Sequence, residues 1–122
     1  DKKETDKLMD DIMKDPRRGK VLTGLMKSMS PGEFREAGMK NDIEQLKKVK
    51  DLPLKYIQSP TLIIHGTNDA DVPVEDAKFA AQAIPGAELY LVSEGFHVMA
   101  ITDSIDEITQ KRLNFLKKHV PT

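Results

Sequence analysis

The sequence lacks cysteine, lacks any long apolar run and lacks a surplus of either charge. Without cysteine, neither a disulfide framework nor a thiolate metal site can form, and this composition fits a reducing compartment, so we expect a cytoplasmic protein. No apolar stretch approaches the roughly 20 residues that span a bilayer, so we expect no membrane partner. The 19 basic residues nearly balance the 20 acidic residues, and this balance disfavours nucleic-acid binding, which usually needs a basic surplus.

The chain is short, with 122 residues, a length that suits one domain or part of one. It does not begin with methionine, and residues 1–4 lack the apolar stretch of a signal peptide. We therefore expect the chain to be part of a longer protein. The charge is uneven, because residues 1–58 carry a net charge of +3 and residues 59–122 carry −4. This difference predicts that the chain is built from two parts.

The first part is predicted to be helical. Its apolar residues recur at the 3.6-residue helical period, and Pro16 is expected to end the first helix. Ser30 and Glu33 have the spacing of a capping box, and Asn41 and Asp42 can cap a further helix. Five of the six methionines precede residue 40. They fit either ordinary helix core or the underside of a mobile lid that faces an apolar substrate.

The rest of the chain has the pattern strand, helix, strand, helix. The apolar, β-branched run at 61–65 predicts a strand buried on both faces, and residues 88–92 predict a second strand. A helix is predicted for 74–84 between them, and Thr102 or Asp103 is expected to cap the last helix. The two strands should be parallel and adjacent. Since two strands alone do not make a stable sheet, further strands should come from a missing N-terminal portion or from another copy of the chain.

The loops after the two predicted strands each carry a residue suited to acid–base chemistry. Because parallel strands end at the same edge of a sheet, Asp69 on the first loop and His97 on the second can meet at hydrogen-bond distance. An Asp that accepts the imidazole Nδ1–H would leave Nε2 free to take a proton from a nucleophile. The same residues could instead be a turn aspartate and a solvated histidine, and topology alone does not decide between the two.

Residues 60–73 resemble a segment of the α/β-hydrolase superfamily in which a P-T-L-I-x-H-G run precedes the pattern G-x-x-D-x-x-V-P. The matching positions are Gly66, Asp69, Val72 and Pro73. Residues 94–97 are similar to the final G-x-H or G-G-H loop of that superfamily, although Phe96 stands where glycine is more usual. The resemblance covers about residues 52–119, and the ordered set of motifs is more specific than any one of them.

The resemblance implies an α/β fold, namely part of an α/β-hydrolase fold with two parallel strands in a βαβ unit. Residues 1–51 would be a helical lid-like segment, and residues 52–122 the C-terminal βαβα portion of the core. The resemblance gives Asp69 the acid position and His97 the base position of a nucleophile–His–Asp triad, with Asp71 as the rival acid. It implies a hydrolase that cleaves an ester, amide or related bond of a small-molecule substrate, without a metal or an organic cofactor.

The nucleophile of such a triad is missing from the sequence. The serines are Ser28, Ser30, Ser59, Ser93 and Ser104. None is flanked by the glycines of a G-x-S-x-G elbow between a strand and a helix, and no cysteine could replace it. We therefore expect the nucleophile in the missing N-terminal portion and no activity of this chain alone.

Several alternatives stay open. An acidic cluster could hold a metal ion together with His65 or His97, although acids in the first turn of a helix also favour the helix dipole, and we expect no metal. The cluster consists of Asp69, Asp71, Glu75 and Asp76. The chain could be a non-catalytic βαβ module that associates through its bare sheet edge, or an acyltransferase or cofactor-free haloperoxidase with the same triad. His65 is expected to pack or form a hydrogen bond, and His119 to lie on the surface.

Overall fold

The computed structural model describes residues 2–29 and 32–120. Over this range the chain has five α-helices and one sheet of two parallel strands, so the predicted α/β class is confirmed. The chain divides into two compact units, Asp1–Leu52 and Pro53–Thr122. Ser30, where the predicted capping box begins, lies outside the described residues.

The helical unit begins with α1 (Lys2–Lys14) and α2 (Pro16–Met29). Asp15, the single residue between them, starts α2 by accepting hydrogen bonds on Oδ1 from two backbone N–H groups of the first turn, at 2.8 and 3.1 Å. Pro16 follows at the first helical position, where its missing N–H removes no helical hydrogen bond. The predicted end of the first helix at Pro16 is therefore also the start of the second.

Few large side chains are buried in this unit. Ile12 is 1% exposed and Leu22 is 7% exposed, and both belong to the packed pair of helices α1 and α2. Four methionines are more than half exposed, namely Met13, Met26, Met29 and Met39. Ordinary helix core therefore does not describe these four residues, and their alternative role on the underside of a lid stays a prediction.

Helix α3 runs without interruption over Glu36–Leu46, after a short 3₁₀ turn at Gly32–Arg35. The prediction that Asn41 and Asp42 cap a separate helix is wrong, because both residues lie inside α3. The side chain of Asn41 is satisfied there, since its Oδ1 accepts a hydrogen bond from Gln45 one turn later, at 3.3 Å. Such pairs four residues apart let a good capping residue stay within a helix.

The second unit is built around the parallel strands β1 (Leu62–Gly66) and β2 (Glu88–Val92), which pair over their full length. Helix α4 (Val74–Ala83) connects them and packs on both strands. After α4, Gly86 has a positive φ of 72°, and this left-handed conformation turns the chain into β2. The three elements agree with the predicted ranges within one residue at each end.

Helix α5 (Ile105–His119) begins later than predicted. Neither Thr102 nor Asp103 caps it, because Ser104 is the residue before its first turn. The Thr102 hydroxyl instead donates to the Met99 carbonyl at 2.9 Å and helps to close a short 3₁₀ turn that the sequence did not predict. With 15 residues α5 is the longest helix described, and none of the described helices has the length and apolarity needed to cross a bilayer.

Strand β1 is only half buried, although its sequence predicts a strand covered on both faces. Within the described residues each strand pairs on one side only, so the outer edge of β1 has no neighbouring strand. An open groove of about 360 Å³ lies between β1 and α5. The groove is lined by Leu62, Ile64, Arg112, Phe115 and Leu116. The prediction of burial on both faces is therefore wrong for this chain, because burial of that kind requires neighbouring elements that these residues do not provide.

Candidate active site

The loops that follow β1 and β2 lie side by side at the carboxyl edge of the sheet. The Thr67 N–H donates to the Val92 carbonyl at 3.0 Å, and the Asn68 N–H donates to the Gly95 carbonyl at 3.0 Å. The Thr67 hydroxyl accepts a hydrogen bond from the Glu94 N–H at 2.8 Å. These bonds extend the strand pairing into the loops, so the distance between the two loops is set mainly by backbone atoms.

Gly66, the last residue of β1, faces Gly95 of the second loop. A Cβ on Gly66 would overlap the Gly95 carbonyl, and a Cβ on Gly95 would lie 2.9 Å from the Val92 side chain. Glu94 has a φ of 54°, a left-handed conformation that residues other than glycine seldom adopt. Phe96 is half buried, while Gly95 is buried. The loop therefore stays tight despite the phenylalanine before His97, because Gly95 occupies the crowded position.

Asp69 lies in the first loop with its carboxylate almost fully enclosed, since the side chain is only 3% exposed. Its Oδ1 accepts hydrogen bonds from the N–H groups of Asp71 and Val72, both at 2.9 Å. This arrangement is an Asx-type turn, which aspartate forms readily because its short side chain reaches its own backbone two residues on. Oδ1 is thereby held by the turn, and Oδ2 points to the second loop.

The Oδ2 atom of Asp69 lies 3.0 Å from Nδ1 of His97. The two residues that the sequence brings to neighbouring loops thus form a direct hydrogen bond. Because an ionised carboxylate can only accept, the neutral His97 ring carries its proton on Nδ1 in this contact.

Burial of the Asp69 carboxylate would by itself raise its pKa. The hydrogen bonds from the Val72 N–H, the His97 ring and the Asp71 N–H outweigh burial and lower the pKa of Asp69 to about 2. The carboxylate is therefore charged at neutral pH although it is enclosed. The same contact raises the pKa of His97 above its usual 6.5, first through the hydrogen bond to Asp69 and then through the negative charge of that carboxylate.

His97 presents its other ring nitrogen outward. Its side chain is 52% exposed, and within residues 2–29 and 32–120 no group forms a hydrogen bond with Nε2. In the tautomer with the proton on Nδ1, Nε2 carries a lone pair. This is the arrangement of a general base, which needs one nitrogen held and the other free to take a proton.

Asp71, the rival acid, occupies a different place. Its N–H supports Asp69, and none of the described hydrogen bonds joins its carboxylate to His97. Its negative charge adds to the raised pKa of His97 from a greater distance. Asp69, Asp71 and His97 do offer ligand atoms within 4.8 Å of one another, whereas Glu75 and Asp76 lie in the first turn of α4.

The other two histidines have separate surroundings. His65 is largely buried, and its Nε2 lies 3.0 Å from the Val72 carbonyl oxygen, so it forms the hydrogen bond expected of it. His119 stacks against Phe115 with ring centres 4.6 Å apart, and its Nε2 lies 3.9 Å from Glu88. His119 therefore belongs to the end of α5, not to the loops.

The serines do not complete the site within the described residues. The Ser28 hydroxyl donates to the Leu25 carbonyl at 2.7 Å, and Ser104 precedes α5. Ser59 and Ser93 lie in exposed connections. None of these four forms a hydrogen bond with Nε2 of His97, and Ser30 lies outside the described residues.

Sequence reasoning missed two contributions to the site, namely the Thr67 hydroxyl and Val72 as a backbone donor, and it found Gly95 only as part of the loop motif. Thr67 stands directly after the strand-ending glycine, and a hydroxyl at that point was the signal for a side chain that bonds across the loops. Val72 and Gly95 act through backbone atoms, which the side-chain pattern does not report. Their contributions appear only when the two loops are brought together.

Three comparisons with known proteins bear on this site. The α/β-hydrolase fold protein from Nakamurella multipartita superposes with a TM-score of 0.79 and 30% sequence identity, over 96% of this chain and 41% of that protein. Serine hydrolase BPHL of Mus musculus is 36% identical over an alignment of 63 residues, and the match covers 45% of this chain and 22% of that enzyme. A protein of Pseudomonas savastanoi pv. phaseolicola, provisionally named as the carbamate hydrolase RutD, is 40% identical over 52 residues.

The matched proteins are much longer than this chain, which spans about a fifth of the curated relatives and two fifths of the solved structure. No protein-family model matches the sequence. The structural match nevertheless includes nearly the whole chain, with 30% sequence identity. The predicted resemblance is therefore confirmed: the chain is similar to proteins of the α/β-hydrolase superfamily and has part of the α/β-hydrolase fold.

Proposed function

We propose that Asp69 and His97 are the acid and the base of a nucleophile–His–Asp triad in a serine-type hydrolase of ester, amide or related bonds. The observation that carries this proposal is the 3.0 Å contact from Asp69 Oδ2 to His97 Nδ1, together with the exposed Nε2. The relatives support it, because one is named a serine hydrolase and another provisionally a carbamate hydrolase. Carbamates are acyl compounds, like esters and amides.

The first half of the reaction follows from the orientation of the ring. A serine hydroxyl near Nε2 gives its proton to the lone pair of that nitrogen, while its oxygen attacks the carbonyl carbon of the substrate. The imidazolium that forms is stabilised by the enclosed carboxylate of Asp69, which is already charged. As the tetrahedral intermediate collapses, Nε2–H returns the proton to the leaving group, and the acyl group stays on the serine.

The second half repeats these steps with water. His97 takes a proton from a water molecule, the hydroxide oxygen attacks the acyl carbon, and the serine oxygen receives the proton as it leaves. Asp69 holds the same ring nitrogen throughout and need not gain or lose a proton, because its pKa of about 2 keeps it ionised. His97 and Asp69 thus finish in the state in which they began.

The nucleophile belongs, in this proposal, to a polypeptide segment outside these 122 residues, and the chain by itself is inactive. The partner is either the N-terminal portion of a longer parent protein or a second chain that supplies the equivalent strands. The outer edge of β1 and its apolar groove favour such a neighbour, because unpaired strand edges readily accept another strand. The substrate of the completed protein is a small molecule.

The unpaired edge also favours a second candidate, a βαβ module that works only by association. In that case the Asp69–His97 contact would stabilise the loops and nothing more. The two candidates differ in one measurable property. The hydrolase needs the free lone pair on Nε2 of His97, whereas the association module needs only the edge of β1.

A chimaera tests the proposed function directly. The segment of mouse serine hydrolase BPHL that corresponds to residues 53–122 is replaced by this unit, so that the host supplies the nucleophile. We expect the chimaera to hydrolyse p-nitrophenyl acetate and to be labelled by a fluorophosphonate, and the His97→Ala variant to lose both activities. A folded chimaera whose turnover is unaffected by His97→Ala would rule the triad out.

The matched control is His119→Ala, which removes the histidine at the end of α5 and should leave turnover unchanged. The 122-residue chain alone should give no turnover and no label. Labelling of the isolated chain at one of its own serines would contradict the proposed origin of the nucleophile.

A further inference from the structure

The His65 side chain ties the aspartate loop to the sheet. His65 lies within β1, its side chain is only 12% exposed, and Nε2 lies 3.0 Å from the Val72 carbonyl oxygen. Because a carbonyl oxygen can only accept, Nε2 is the nitrogen that carries the proton and donates. A largely buried donor on a paired strand thus holds a carbonyl group of the loop seven residues later.

Both backbone groups of Val72, the carbonyl and the N–H, form hydrogen bonds with side chains. Its carbonyl accepts from His65, while its N–H donates to Asp69 Oδ1 at 2.9 Å. The hydrogen bonds within the turn join residues two and three apart and would move with the turn if it shifted. The bond from His65 is different, because it fastens the turn to a strand whose own position is fixed by pairing with β2.

His65 does not compete with His97 for the carboxylate. Its Nε2 lies 3.7 Å from Asp69 Oδ2, which is beyond hydrogen-bond distance, while His97 Nδ1 lies 3.0 Å from the same oxygen. The proton of His65 is directed to the Val72 carbonyl instead. Oδ2 is therefore left to His97, while His65 binds the backbone of the same turn.

We propose that His65 is a positioning residue, which holds the turn of residues 69–72 so that Asp69 Oδ2 stays directed at Nδ1 of His97. The inference rests on the proposed function, because it assigns His65 to the orientation of the same acid–base pair. His65 is not placed in contact with the reacting atoms. Its effect passes through the Val72 backbone to Asp69, and from Asp69 to the tautomer of His97.

The tautomer of His97 can be read by ¹⁵N NMR of the imidazoles in the complete chain. The sequence has three histidines, so a variant at position 65 leaves only His97 and His119 to assign. His65→Leu removes the donor and keeps an apolar side chain. His65→Gln restores a donor, because its amide nitrogen is separated from Cβ by the same number of bonds as Nε2 of histidine.

In the wild-type protein we expect neutral His97 to carry its proton on Nδ1 and to titrate above 6.5, the ordinary value. His65→Leu should convert His97 to the Nε2–H form that dominates in water and return its titration toward that ordinary value. The Val72 amide should exchange with solvent about tenfold faster, since one anchoring hydrogen bond is lost. His65→Gln should keep the wild-type tautomer, titration and exchange rate.

The signals of His119 serve as the internal control, because this residue contacts Glu88 and Phe115 and not His65. These signals should be the same in the wild type, His65→Leu and His65→Gln. The inference is overturned if His65→Leu leaves the His97 tautomer and titration unchanged. It is equally overturned if both variants lose the folded state, because His65 would then support the whole unit and not the turn. An ordinary tautomer of His97 in the wild-type protein would instead remove the Asp69–His97 pair, and with it the proposed function.

Discussion

Gly66 and Gly95 approach each other so closely that neither position has room for a side chain. This contact joins the end of β1 to the loop that carries His97. It fixes the separation of the two loops on which Asp69 and His97 lie. The site therefore depends on two residues that have no side-chain chemistry.

A first prediction concerns Gly66→Ala. The added Cβ would meet the Gly95 carbonyl, which is backbone and cannot turn aside like the end of a flexible side chain. We expect a loss of about 1–3 kcal/mol in the free energy of unfolding, the usual cost of overpacking, and a weaker hydrogen bond from His97 to Asp69. Denaturant unfolding and the NMR signals of His97 measure the two effects.

The control for this prediction is Gly24→Ala. Gly24 lies within α2 with open space around the position of its Cβ. Alanine should stabilise the helix there by about 0.5–1 kcal/mol, because glycine is the more flexible residue in the unfolded chain. If Gly66→Ala proved as harmless as Gly24→Ala, the close approach of the two loops would not exist in solution.

A second prediction separates the two candidate acids. In the chimaera, Asp69→Asn should reduce turnover by roughly 10⁴, because the amide would face Nδ1 with a donor and favour the wrong tautomer of His97. Asp71→Asn keeps the N–H that supports Asp69 and should change turnover less than tenfold. A large effect of Asp71→Asn with a small effect of Asp69→Asn would transfer the acid role to Asp71.

A third prediction concerns pH. The pKa of Asp69 falls from 3.8 to about 2 on folding, so its contribution to stability is complete above about 3.8 and is lost as the pH drops toward 2. The pKa of His97 is raised on folding, so its contribution is complete below 6.5 and is lost as the pH rises through the raised value. The pair should therefore stabilise the chain most between about pH 4 and pH 6.5.

Thermal melting of the wild type and Asp69→Asn across this range tests the prediction. The difference in Tm should be largest in the window and should shrink on both sides. The turnover of the chimaera should rise with pH as His97 loses its proton, with an apparent pKa above 6.5. A constant difference in Tm from pH 2 to pH 9 would show that the pair is not coupled to folding.

A fourth prediction concerns association of the isolated chain. The outer edge of β1 is unpaired, and the groove between β1 and α5 leaves apolar side chains uncovered, so the folded chain should self-associate. Leu116, which lines the groove and is 53% exposed, should matter most. Leu116→Lys should weaken association in sedimentation velocity, since it places a charge at the groove.

Phe79→Lys provides the comparison for this experiment. Phe79 is a larger apolar residue on α4, and it is 65% exposed but lies outside the groove. The Phe79→Lys substitution should leave association unchanged if the edge of β1 is the surface involved. A wild-type chain that is monomeric and melts sharply in calorimetry would count against the need for further strands.

Much of the second unit could be predicted because local signals and tertiary demands agree there. Residues 88–92 have a β-prone apolar run between turn residues and form β2 over that range. Prediction failed where a residue with the side chain of a helix cap formed a different hydrogen bond in the folded chain. Asn41 is a residue type that often caps helices, but it lies inside α3. The Thr102 hydroxyl donates a hydrogen bond within a 3₁₀ turn before α5 and does not cap that helix.

The sequence by itself determined the α/β class, the order of the strands and the helix between them, and the two loops on which Asp69 and His97 lie. It did so because hydrophobic period and turn residues act over a few neighbours along the chain. Only the tertiary structure decided which carboxylate meets the imidazole, and with which oxygen. That choice depends on backbone atoms of Val72 and Gly95 and on the enclosure of Asp69, which arise only when segments nearly thirty residues apart come into contact.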